Sequence, residues 1–312
     1  MSDFYLAFSA IFPLFFPMAA GYLLKQINLV DGHTVKGMNK AVFRFFLPLL
    51  LCYNVYHSDL SSVFDKRLML VGVAGVVISF LVFFLFVRLT EGDRAKQGVM
   101  VQGMFRSNFV LFGLPLAAHL CGSEEIGTTA LMIAVIVPLF NVLSVVVLEL
   151  SRGGKLNWKT IARGILTNPL ILSSLLGLLI LFTGLPIPKL IDEAIGSMAG
   201  IATPMALFLL GASFRFSAAK STLRQLVTVV TGKLVVLPGI MLMIGYFLGF
   251  RGISMATLLA MFASPTAVSS FVMAQEMEGD ADLASQIVVW TSAGALVTIF
   301  FFLVILKRIG GI

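Results

Sequence analysis

Apolar residues in this chain run in long continuous blocks. Leu68 to Val87 and Leu226 to Phe250 are each near the ~20 residues that cross a bilayer as a helix. The alternation every second residue that marks a transmembrane barrel is not what these blocks show. Loops rich in Gly, Pro and charge separate about ten blocks, near 4–25, 37–57, 68–88, 97–120, 127–149, 160–183, 193–214, 223–249, 253–276 and 283–306. The pattern predicts an all-α integral membrane protein with ten transmembrane helices. The longest polar connector, Glu149 to Arg163, lies mid-chain and divides it into residues 1–150 and 151–312, five spans in each.

Composition agrees. The chain is 59% apolar and 12% charged, with a mean hydropathy of +1.01. A soluble domain carries about 25% charged residues, so a soluble enzyme is excluded. The net charge of +7 does not point to nucleic acid, because the basic residues sit in short loops rather than one patch. Alternate loops and their flanks, starting with loop 1–2, hold 13 of the 22 Lys and Arg, and the opposite side holds 6. The positive-inside rule then puts loop 5–6 in the cytoplasm and both termini outside, in a bacterial inner (plasma) membrane. The first block has no basic leader and no cleavage site, so it reads as a permanent helix. Cys52 and Cys121 form no disulfide framework or metal cage, and no cofactor or metal is expected.

Two halves of five spans each must lie in opposite orientations, which makes internal similarity meaningful. At an offset of 157, Met104, Phe105, Ser107 and Ala117 match Met261, Phe262, Ser264 and Ala274. Pro48 and Pro204 correspond on spans 2 and 7. The matched segments carry helix breakers at membrane depth: Ser107, Asn108, Gly113 and Pro115 on span 4, and Ser264, Pro265, Thr266, Ser269 and Ser270 on span 9. Unwound backbone survives in a bilayer only where protein or a wet cavity satisfies it. Half-helix N-termini then aim partial positive charge at the gap and favour an anion. One such segment reads as a kink; two at matched positions read as a binding site.

At these residues the chain resembles the auxin efflux carrier family, over its whole length. The resemblance rests on Asn108-Phe-Val-Leu-Phe-Gly-Leu-Pro-Leu116, on Ala263 to Glu276 and on Pro204 to Gly211. The family's fold is similar to that of bile-acid/sodium symporters, two inverted five-helix repeats whose fourth helices unwind and cross. The resemblance implies a scaffold of spans 1, 2, 6 and 7 and a moving transport domain of spans 3–5 and 8–10, working by elevator-type alternating access. It implies small organic anions as cargo, carboxylates of auxin-like or malonate- and malate-like type. Asn108 falls on the family's crossover asparagine and Pro265 on its second crossover proline. Between spans 5 and 6 the long cytoplasmic loop of the plant carriers has no counterpart. A homodimer through the scaffold helices is expected.

Charges inside the spans refine the picture. Arg106 and Lys233 each lie roughly ten residues into a span, so ~15 Å deep. A charge there needs a partner or water. Arg106 reads either as a cation for the cargo carboxylate or as a brace for unwound carbonyls. Lys233 reads as a fixed cation where sodium-coupled relatives hold an ion, and Arg44 as an anchor nearer the surface. No Asp or Glu falls at midplane: Glu149 and Glu276 end their spans, which argues against cation/proton exchange and sodium coupling. His119 falls near the outer end of span 4 and reads as an interfacial histidine. Asn141, mid-span on span 5, needs a partner and suits either helix packing or cargo contact; Asn54 poses the same choice. Three scattered histidines assemble no catalytic constellation. The candidate cargo site is therefore Arg106, Ser107, Asn108, Asn141, Ser264, Pro265 and Thr266, with Gly113, Pro115, Pro48 and Pro204 shaping the crossover. The alternative is a membrane-embedded ligand sensor of the same fold that does not transport.

Overall fold

A computed structural model describes residues 2–57, 65–121, 127–152, 158–215 and 221–312. The acidic Glu124-Glu125 loop lies outside them. The described residues fold into helices, numbered here in chain order. They are α1 (Ser2–Gln26), α2 (Gly32–Ala41), α3 (Leu47–Tyr56), α4 (Lys66–Thr90), α5 (Arg94–Phe105), α6 (Phe109–Cys121) and α7 (Gly127–Ser151). There follow α8 (Trp158–Leu166), α9 (Pro169–Thr183), α10 (Lys189–Ser213), α11 (Leu223–Thr231), α12 (Leu237–Phe247), α13 (Ile253–Ala263), α14 (Ser269–Glu276) and α15 (Ala281–Arg308).

The scarce polar residues of the loops are spent on starting these helices. Asp31, Asp65, Asp93, Asn168 and Asp280 each accept a hydrogen bond from a backbone N–H of the first turn of α2, α4, α5, α9 and α15. Interruptions follow proline chemistry. A π-helical turn, Val42–Phe46, joins α2 to α3 just before Pro48, and a second, Gly232–Val236, joins α11 to α12 just before Pro238. A proline has no N–H to give the carbonyl four residues back, and its ring crowds that carbonyl, so the preceding turn widens.

By length and composition, five described helices can cross a membrane: α4, α7, α10, α11 through α12, and α15. Joining Arg94–Leu111 to Pro115–Cys121 across a 59° bend makes six. The pieces α9 and α13 are apolar but short. The expected spans 6 and 9 are thus broken in the structure, at Asn168-Pro169 and at 264–268. Large apolar side chains such as Leu70, Leu81, Leu175 and Phe247 stand exposed, while Gln102, Arg106, Lys233 and Gln286 are buried. This inside-out distribution suits lipid around the molecule.

Two helix pairs make the closest large contacts, α1 with α10 and α3 with α9. Glycine permits them. A Cβ added at Gly21 would lie 2.0 Å from the Phe208 carbonyl oxygen, and one at Gly211 would lie 1.9 Å from that of Met18. A Cβ at Gly177 would lie 2.9 Å from the Cys52 carbonyl oxygen. Small residues let backbones approach where lipid offers no hydrophobic drive.

Candidate functional site

Between α5 and α6 the chain leaves the helix at 106–108; between α13 and α14 it does so at 264–268. The two gaps meet. The Asn108 backbone N–H donates to the Pro265 carbonyl at 2.8 Å, and α6 packs along α13. The Thr266 hydroxyl donates to the Gly103 carbonyl at 2.7 Å, while the Thr266 N–H donates to Thr291 Oγ1 at 3.2 Å. The Ser264 hydroxyl donates to the Ala260 carbonyl, closing the last turn of α13. The Asn108 N–H, the Pro265 carbonyl and the Thr266 N–H are thus satisfied by the opposite gap and its neighbours, as unwound backbone at membrane depth requires.

Two cations sit at this crossing. Arg106 is 4% exposed and Lys233 fully buried. The Arg106 guanidinium donates to Asn141 Oδ1 at 2.6 Å, Ser269 Oγ at 2.7 Å and Met273 Sδ at 2.6 Å. Lys233 Nζ bonds Ser107 Oγ in one gap and donates to the Phe262 carbonyl, near the end of α13, at 3.3 Å. A cation at a helix C-terminus is favourably placed. Among the described residues neither cation has a carboxylate partner. Their positive charge is spread over neutral oxygens and a thioether.

A cavity of about 160 Å³ opens beside Arg106. Its polar wall is Arg106, Ser107, Asn108, Asn141, Ser269, Asn54 and Thr203. Its apolar wall includes Leu47, Leu50 and Leu51 of α3, Val110 and Leu111 of α6, Val137 and Phe140 of α7, and Ala206 of α10. The first turns of α6 and α14 end on it, so two helix N-termini add partial positive charge. Beyond the crossing, the Asn39 side-chain amide donates to Glu276 Oε1 at 3.0 Å and to the Val272 carbonyl at 3.4 Å, tying α2 to α14.

The structure sorts the expected site residues into groups. Arg106, Ser107, Asn108 and Asn141 line the cavity together. Ser264, Pro265 and Thr266 do not line it; their bonding groups are committed to holding the crossing. Gly113 and Pro115 lie within α6, where the span bends by 59° between Leu111 and Pro115; the fully unwound residues fall earlier, at 106–108, where the Asn108 N–H bonds Pro265. Pro48 begins α3 and Pro204 lies inside α10, each beside cavity-lining residues rather than on the wall. Lys233 bridges the two gaps instead of facing the cavity. Arg44 and His119 are exposed. Sequence reasoning did not assign Ser269 to the wall or Met273 to Arg106. The sequence marks Ser269 only as one of the polar breakers of span 9.

The family model for membrane transport proteins matches residues 6–303. An uncharacterized transporter of Methanothermobacter thermautotrophicus is 24% identical over 290 residues, 92% of this chain and 94% of that protein. The lysosomal cholesterol signaling protein of Mus musculus is 26% identical over 251 residues, 74% of this chain and 29% of the mouse protein.

Proposed function

The chain belongs to the membrane transport protein family, that of the auxin efflux carriers, and on that premise we propose that it carries small organic anions, with cargo held at the crossing of the two gaps. The observation that carries this reading is a pair of buried cations, Arg106 and Lys233, beside two helix N-termini and a cavity, with no carboxylate to neutralise them among the described residues. A buried charge without a counter-ion is costly, and an anionic cargo supplies one. The apolar wall of Leu47, Leu50, Leu51 and Phe140 leaves room for the carbon body of a carboxylate.

We further read the chain as ten spans in two inverted repeats. Exchanging spans 1 and 2 with 6 and 7 turns the α1–α10 contact into the α9–α3 contact, the two largest among the described helices. The gap residues matched by the 157-residue offset, Asn108 and Pro265, bond each other, as residues on a pseudo-two-fold axis do. On this reading α1–α3 and α8–α10 form the scaffold, while α4–α7 and α11–α15 carry the cargo by an elevator motion in a bacterial inner membrane. The Asn39–Glu276 bond then links scaffold to transport domain on the cytoplasmic side, while the cavity lies toward the outer side. Two chains pair through their scaffolds.

The test is uptake of radiolabelled mono- and dicarboxylates into proteoliposomes, with pH and sodium gradients varied. Accumulation of at least one carboxylate, saturable and independent of sodium, is expected. The mouse relative's name speaks of signalling, so binding without any uptake would instead support a ligand sensor of this fold.

A further inference from the structure

A guanidinium carries five N–H donors and accepts nothing, so each neighbour must turn an acceptor toward it. Arg106 thereby fixes the polarity of two side chains on the cavity wall. Asn141 presents Oδ1 to it at 2.6 Å, which leaves Nδ2 as the remaining face of the amide. That Nδ2 is fully buried and has no partner in the protein. A buried donor without a partner is costly, and an acceptor oxygen of a bound cargo would satisfy it. Ser269 accepts from Arg106 through Oγ at 2.7 Å, so its own O–H is turned elsewhere. Both residues line the cavity.

We propose that Asn141 and Ser269 are cargo-binding donors, and that Arg106 is a positioning residue that holds both in donor polarity. The wall then matches two acceptor oxygens at once. An ionised carboxylate offers two; a primary amide of the same shape offers one and sets an N–H₂ against a donor. Selectivity for the ionised acid over its amide is thus a property of the Arg106–Asn141–Ser269 group. This inference rests on the anion-carrier reading and adds to it which atoms select the cargo.

The test is a set of matched probes: acetate, butyrate, phenylacetate and malonate, each against its primary amide or mono-amide. Binding to the purified full-length chain is measured by calorimetry. The native chain should bind at least one carboxylate at least tenfold more tightly than its amide. Asn141→Asp keeps the shape but replaces the donor by an acceptor that pairs with Arg106; it should lose at least tenfold for the carboxylate and little for the amide. Ser269→Ala should lose at least tenfold as well, and it decides the matter should Asn141→Asp fail to fold. Arg106→Gln frees the Asn141 amide to rotate, so the carboxylate-to-amide preference should collapse, an effect that a brace for α5 would not produce. Native-like binding by Asn141→Asp and Ser269→Ala would overturn this inference alone. Failure of the native chain to bind any carboxylate would overturn the anion-carrier reading and take the inference with it.

Discussion

A single methyl group at position 211 should push α1 away from α10. An ideal Cβ there would sit 1.9 Å from the Met18 carbonyl oxygen and 2.6 Å from its carbon, both backbone atoms. Contact distances between carbon atoms are about 3.5–4.0 Å, so roughly 1.5 Å or more must be found by moving a helix rather than by rotating a side chain. Overpacking of this kind costs typically 1–3 kcal/mol, and a shift of packed backbone belongs at the top of that range or above it. Gly200, on the same helix, is the internal control: an added Cβ meets nothing within 4 Å. There Gly→Ala should gain helix propensity, up to about 1 kcal/mol. Gly177→Ala, 2.9 Å from the Cys52 carbonyl oxygen, should fall between the two. Thermal unfolding of the three purified variants, followed by loss of the monodisperse peak on size-exclusion chromatography, reads the order directly. The expected order of stability is Gly200→Ala, then Gly177→Ala, then Gly211→Ala. Equal or raised stability of Gly211→Ala would refute the close α1–α10 approach.

Three further outcomes follow from the same geometry. Arg106→Gln should raise KM for anion uptake in a folded, inserted protein, with Arg106→Lys intermediate because an ammonium keeps the charge but loses the planar fork; unchanged KM with lower stability would make Arg106 a brace. Cysteine accessibility in a chain lacking Cys52 and Cys121 should label the 124–125 loop from outside and the 278–282 loop from the cytoplasm, and labelling of both from one side would sink the inverted repeat. Arg152 donates to Glu278 at 2.7 Å and holds that carboxyl below the usual carboxylate range. Its folded-state pKa is depressed, so the pair's contribution is present above the unfolded value near 4.5 and is lost as pH falls through the lower folded value. Glu278 is mostly exposed, so Glu278→Gln should lower stability at pH 7 by at most about 1 kcal/mol and leave stability at strongly acidic pH unchanged, as read by thermal unfolding across pH.

Much of the site was legible in the residue order because lipid makes polar groups conspicuous. Arg106, Ser107, Asn108 and Asn141 stand out against apolar neighbours, and all four line the cavity. The break on span 9 was legible from Ser264-Pro265-Thr266. Breaker residues alone did not say where span 4 opens. Gly113 and Pro115 mark a 59° bend within α6, while Asn108 leaves the helix and its N–H finds a carbonyl 157 residues away. Local propensity is a weak prior beside such a bond. The partners of the two cations were equally out of reach. Lys233 meets Ser107 and Phe262, and Arg106 meets Ser269 and Met273, through packing that no spacing encodes. The π turns before Pro48 and Pro238 had a visible cause in the prolines. Their form depends on the widened ladder, which a hydropathy pattern does not record.

The central claim, cargo carried at the crossing, is tested most directly by counterflow. Proteoliposomes holding the native chain are loaded with an unlabelled carboxylate and exposed to a trace of the same labelled anion. Label should accumulate transiently above equilibrium and then decay. Asn108→Ala, reconstituted in equal amount, should show little or no overshoot, since it removes an amide donor and acceptor from the cavity wall that Arg106 also lines. An equal overshoot from Asn108→Ala would place the cargo elsewhere, and no overshoot from the native chain with any carboxylate would contradict the carrier itself.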